Sequence, residues 1–170
     1  YGIKHPSRCK ALILRGIFLL RQREIDWFYQ EGASYIYPDA WEKYLSPIPL
    51  DERSDLVKAY YKRLTSNDYN IRIEAAKAWS IWEASTSKLF QSRKSLHHFE
   101  ISSVAEAFAR IECHYFVNKI FLEENFILKN IETINKIPTK IVQGRYDVVC
   151  PVRSAWDLNK KLKNSELFII

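Results

Sequence analysis

Three short, mostly apolar runs stand out along the chain: residues 11–14 (ALIL), 139–142 (TKIV) and 167–170 (LFII). The first follows His5-Pro6 and stops at Arg15-Gly16. The second follows Pro138 and stops at Gly144. Short apolar runs bounded by Gly or Pro predict strands of a parallel sheet covered on both faces. Between the last two lies a helical pattern over residues 152–162, with Pro151 at its first turn. Strand, helix and strand at that spacing predict a βαβ unit.

The stretch from about residue 19 to 134 has a different period. Pro38-Asp39 opens one short helix, and Asp51 opens another with Leu56, Tyr60 and Leu64 on one face. Asn67 or Asp68 caps a third helix running through Ala75, Ala76, Trp79 and Trp82. Ser102 or Ser103 caps a fourth, with Phe108, Ile111, Tyr115 and Phe116 along it. A strand that feeds a long helical block and then returns to βαβ predicts an α/β fold in which helices are inserted as a lid between sheet strands.

Composition narrows the class. The 170 residues are 47% hydrophobic and 27% charged, enough for a core and a solvated surface, which excludes a disordered chain. The chain contains no Met and starts at Tyr1, so it reads as an internal piece of a longer protein. The net charge of +6 raises nucleic acid as a partner. Its basic residues, however, are scattered singly or in pairs (Arg21 and Arg23, Lys62 and Arg63, Lys160 and Lys161), and no nucleic-acid partner is expected. Cys9, Cys113 and Cys150 form no CxxC pair. With His5, His97, His98 and His114 they match no zinc spacing, so neither a metal nor another cofactor is expected. Odd, dispersed cysteines suit a reducing cytoplasm. No apolar run approaches the roughly twenty residues of a membrane span.

Three groups of residues could carry chemistry. Asp147, in the run Gln143-Gly144-Arg145-Tyr146-Asp147, follows an apolar strand, where open α/β sheets place functional loops. Gly144 gives the chain a sharp exit there. Asp147 reads either as an Asx turn or helix cap, or as a carboxylate that orients a histidine in acyl transfer. Glu83 and Glu112 lie among rings at helical spacing, Glu83 after Trp79 and Trp82, and Glu112 among Phe108, Tyr115 and Phe116. Two anions in apolar company read either as ion pairs with Arg15, Arg110 or Lys77, or as carboxylates awaiting a ligand's ammonium group. The third group, Phe18, Trp27, Phe28 and Tyr29, reads as core or as the wall of a pocket for a flat apolar ring. The chain holds no G-x-S-x-G elbow, no Gly-rich phosphate loop and no HExxH.

The segments LRGIF (14–18), WFYQEGAS (27–34), RLTSND (63–68), AAKAWSIWE (75–83), AFARIECHYF (107–116), GRYDVVCP (144–151) and SAWDL (154–158) closely resemble the prolyl aminopeptidases of the α/β-hydrolase fold, in that family's order and over essentially the whole chain. The resemblance implies a serine peptidase that removes an unblocked N-terminal proline from peptides. It implies residues 1–18 and 135–170 as pieces of the hydrolase core and 19–134 as the helical cap. Asp147 corresponds to the acid of a Ser-Asp-His triad, and Glu83 and Glu112 to the cap glutamates that hold the substrate's α-amino group. Phe18, Phe28 and Phe116 correspond to the walls of the proline pocket, with Arg15 and Cys150 beside it. Phe28 stands where some members have Tyr, and Cys113 where Asn is common. The nucleophilic Ser is expected about ten residues before Tyr1 and the triad His shortly after Ile170. The chain alone is therefore expected to be inactive. Two other readings are another lidded hydrolase, an esterase or epoxide hydrolase, and a non-catalytic helical interaction module.

Overall fold

In a computed structural model of the chain, which describes residues 1–89 and 101–170, the protein is a mixed α/β chain, mostly helical, with one small parallel sheet. His97 and His98 lie outside the described residues. The strands are β1 (Leu12–Arg15), β2 (Thr139–Gln143) and β3 (Ser165–Ile169), in the order β1-β2-β3. Both pairings are parallel, with Leu14 opposite Ile141 and Ile141 opposite Leu167. The described helices are α1 (Gln22–Tyr29), α2 (Pro38–Leu45), α3 (Leu56–Leu64), α4 (Tyr69–Thr86), α5 (Ser102–Val117), α6 (Phe126–Lys129) and α7 (Val152–Lys161).

The chain divides into two compact units. Tyr1–Glu24 with Leu122–Ile170 forms the sheet unit, and Ile25–Phe121 forms the helical unit. The core of the sheet unit is aliphatic: Ile17, Leu19, Leu128, Ile131, Ile134, Ile137, Ile141, Ala155, Leu158 and Leu162. Pro151 is the N-cap of α7, which turns Ala155 and Leu158 onto that core. Within this piece of the sheet, one face of each strand meets the core. Burial alternates along each strand, Ile13 is 84% exposed and Phe168 is exposed as well. A run apolar on both faces fixes the strand but not which face meets the core.

The helical unit is built on rings. Trp79, Trp82, Tyr44 and Tyr60 are fully buried, with Tyr44 stacked on Tyr60 at 4.7 Å and Tyr29 on Trp79 at 4.4 Å. Asp68 caps α4 through the N–H groups of Asn70 and Ile71, as its position before the helical run implies. Two other caps differ from expectation. Asp51 sits in a short 3-10 turn, Leu50–Glu52, and Asp55 caps α3 by accepting from Lys58 N–H. The N-cap of α5 is Ile101, without a side-chain bond, and Ser102 is already helical. The buried face of α5 is the small-residue row Ala105, Ala109 and Cys113, which lets it lie close against α3 and α4, whereas Ile111 and Tyr115 are exposed. Gly32, between α1 and the turn Ala33–Tyr35, has a φ of 152°, and a Cβ there would lie 2.5 Å from the Trp27 ring. Only glycine fits that approach.

Candidate active site

The eight candidate residues fall into two groups, one in each unit. Arg15, Phe18, Asp147 and Cys150 belong to the sheet unit, and Phe28, Glu83, Glu112 and Phe116 to the helical unit.

In the sheet unit the ladder between β1 and β2 ends at Arg15 opposite Val142. Arg15 is exposed at that end. The next residue, Gly16, takes a left-handed turn (φ 56°), and the chain then enters the core at Ile17, with Phe18 half-buried after it. The sharp exit assigned to Gly144 is therefore at Gly16. Gly144 has an ordinary backbone conformation, and a Cβ there would meet Asp147 at a normal 3.6 Å. Asp147 is half-buried in the loop after β2. Its Oδ1 accepts from Cys150 N–H at 2.8 Å, and its Oδ2 accepts from Gln143 Nε2 at 2.9 Å. The Asx-type bond to Cys150 is thus present, but Asp147 caps no helix, since α7 starts after Pro151. An ionised carboxylate has about four acceptor positions, so both oxygens keep room for another donor.

In the helical unit Glu83 projects from α4 and Glu112 from α5. Glu83 is buried and Glu112 half-buried. The Tyr29 hydroxyl donates to Glu83 and acts on Glu112 as well, while Trp79 Nε1 donates to Glu112 Oε2 at 2.8 Å. Tyr29 itself is clasped between Trp79 and Phe116, whose ring centroid lies 5.0 Å away. Phe28 is buried edge-on to Tyr29 and tilted against Trp82. The backbone of this aromatic layer is held by Trp82 Nε1 donating to Phe28 O at 3.1 Å. Among the described residues no salt bridge reaches either glutamate. Arg110 pairs instead with Glu106 at 3.2 Å.

Electrostatics follow from that geometry. Burial first, and then the neighbouring charge of Glu112, push the Glu83 carboxyl up to about 8, against the hydrogen bond from Tyr29. Burial also raises Glu112, against the hydrogen bond from Trp79 and the influence of the Tyr29 hydroxyl. The same burial and the two acids raise the Tyr29 phenol well above its usual range, so it stays a donor. A pair of carboxylates held by neutral donors can accept a cation: an ammonium group placed between them would let both ionise and would donate charge-assisted hydrogen bonds to them. Cys113, next to Glu112, is itself buried and donates to Val57 O, and burial pushes its thiol up to about 12, so it serves as a packing residue.

Three residues of these clusters are not sequence candidates in such roles. Gln143 is the polar end of β2, Tyr29 reads only as part of an aromatic stripe, and Trp79 as core. For Trp79 a signal is present, because it stands four residues before Glu83 on one helix face. Among the described residues no group of His, Cys, Asp and Glu could hold a metal ion.

No protein-family model matches the chain. Against curated proteins, it is 58% identical over 171 residues to the probable proline iminopeptidase of Leptolyngbya boryana, covering all of this chain and 53% of that protein. It is 55% identical to the proline iminopeptidase of Xanthomonas citri over 99% of the chain and 54% of the relative. It is 51% identical to that of Arabidopsis thaliana over all of the chain and 45% of the relative. The chain spans about half the length of the curated relatives it matches. With identities of 51–58% over 99–100% of its length, the chain belongs to the proline iminopeptidase family.

Proposed function

We propose that the full-length protein is a serine aminopeptidase that releases N-terminal proline from peptides. Residues 1–18 and 135–170 are pieces of its α/β-hydrolase core, and 19–134 its helical cap. The observation that carries this reading is the carboxylate pair of buried Glu83 and half-buried Glu112, set among Tyr29, Trp79, Phe28 and Phe116 and without a salt bridge among the described residues. An N-terminal proline offers a secondary ammonium for the acids and a compact apolar ring for the aromatic walls. A blocked terminus offers no cation, and leaves two buried acids unanswered.

Asp147 holds the imidazole of a histidine, supplied from outside this chain, in the tautomer that accepts a proton. A serine, also from outside it, attacks the prolyl carbonyl. Its proton passes to the imidazole and then to the leaving amine as the C–N bond breaks, and water repeats the exchange to free the proline. Phe18, Arg15 and Cys150 border the reacting end. The chain alone, without that nucleophilic serine and that triad histidine, is inactive. A reducing, cytoplasmic setting is part of the proposal and rests on three cysteines that form no disulfide.

The test is hydrolysis by the full-length protein of proline arylamide, its N-acetyl derivative and a simple aryl ester. Acetylation is expected to lower kcat/KM by about 100-fold or more. Equal turnover of the blocked substrate, or preference for the ester, would replace this reading with that of another lidded hydrolase.

A further inference from the structure

Gln143 is 1% exposed, at the end of β2, and every hydrogen of its side-chain amide is used. Its Oε1 accepts from Ile17 N–H at 2.8 Å. Its Nε2 donates to Asp147 Oδ2 at 2.9 Å and to Cys150 O at 2.8 Å. The orientation of the amide is unambiguous. Turned over, it would set an oxygen against a carboxylate and a carbonyl, and an N–H against an N–H, losing all three bonds. Its own backbone is fixed as well, because Gln143 O accepts from Ile170 N–H at 3.0 Å, tying it to the end of β3.

The local structure explains why a side chain occupies this place. The β1–β2 ladder stops at Arg15, where Gly16 turns left-handed and lifts the following N–H out of strand register. Ile17 is buried, so that N–H needs an acceptor. Gln143 supplies one from the neighbouring strand and spends its two N–H groups on the acid loop. One buried amide thereby joins the exit of β1, with Arg15 and Phe18 on either side of the turn, to the loop that carries Asp147 and Cys150.

We infer that Gln143 is a positioning residue for the reaction: it fixes the direction of the Asp147 carboxylate and locks the acid loop to the β1 exit. The inference rests on Asp147 being the triad acid, as proposed above. Without Gln143, the Asp147 carboxylate would keep its bond from Cys150 N–H, one bond about which it can swing. The second bond, on the other oxygen, sets the plane in which a histidine N–H is met.

The experiment uses the full-length protein with Asp147→Asn, Gln143→Met and Gln143→Glu. The Gln143→Glu change keeps an acceptor for Ile17 N–H but presents a second acceptor to Asp147 where the parent has a donor. Both Gln143 variants are expected to lower kcat about tenfold or more while KM for a prolyl substrate stays within about threefold. The low-field proton resonance of the histidine N–H bonded to Asp147 should also shift or disappear, a change that a general loss of stability would not produce in the folded fraction. If Gln143→Met does not fold, Gln143→Glu decides by the same readouts. Parent-like kcat and an unmoved resonance in a folded Gln143 variant, with Asp147→Asn inactive, would overturn this inference and leave the proposed function standing. An active Asp147→Asn would overturn both.

Discussion

Each unit buries acids, and each treats them in the opposite way. In the sheet unit Glu24 is buried against Arg21, at 2.7 Å, and its carboxylate also accepts from Ser154 and from the N–H groups of Leu19 and Arg21. Asp157 beside it takes Arg21, Arg23 and Arg153. Burial pushes Asp157 up, but the bonds from Arg153, Arg21 and Arg23 outweigh it and hold the carboxyl below its usual range. In the helical unit Glu83 and Glu112 receive a phenol and an indole, and burial drives Glu83 up to about 8. The first cluster answers its acids with cations, at the cost of a buried Arg21 Nε that has no acceptor. The second buries carboxyls that the fold meets only with neutral donors and so holds back from ionising, a pattern expected of a ligand site.

Breaking the sheet-unit network should have the largest effect. Arg21→Met leaves Glu24 buried without its cation and is expected to cost about 3–5 kcal/mol in urea unfolding. A double Arg21→Met, Glu24→Leu variant should recover most of it. Removing an acid from the helical cluster should do the reverse, sparing stability and damaging function. Glu112→Gln in the full-length protein is expected to lower kcat/KM for prolyl substrates tenfold or more, about 1.4 kcal/mol per decade. Unchanged kinetics would remove the amine-anchor role. Tyr29→Phe deletes the hydroxyl that donates to Glu83 and should raise KM about fivefold with little change in kcat.

The smallest effect sharpens the contrast through pH. The folded Glu83 keeps a proton that the unfolded chain releases near 4.5, so its contribution to stability is fully present below that value and is lost as pH rises through about 8. Asp157 has the opposite sign: its contribution is present above its unfolded value of 3.8 and is lost as pH falls through its lowered one. Glu83→Gln should therefore flatten the alkaline decline and raise Tm at pH 9 by about 2–4 °C, leaving the acid limb to the sheet unit.

The legible parts are those with a local cause. Pro138 and Gly144 bracket β2, Pro38 starts α2, and Asp68 before a helical run caps α4, because capping and φ restriction act within a few residues. The α5 face is less legible for an equally physical reason. Its aromatics are conspicuous in sequence, but the fully buried positions are Ala105, Ala109 and Cys113, since close helix contact selects small residues, while Phe116 packs at the edge against Tyr29. The sequence motifs around Arg15, Asp147 and the two glutamates are visible, but the amide and phenol that organise them are not.

By itself, the sequence determined a parallel βαβ element, a helical block between its strands, a family, and two acids placed among rings. Only the tertiary structure decided that these acids share Tyr29, that Arg110 answers Glu106 instead, and that Gln143 bridges Ile17 to Asp147 across 126 residues of chain on one side and four on the other. The reason is that hydrogen-bond partners are chosen by distance in space. A buried donor or acceptor takes whatever the fold brings within about 3 Å, and sequence spacing limits that choice only inside a single helix, strand or turn.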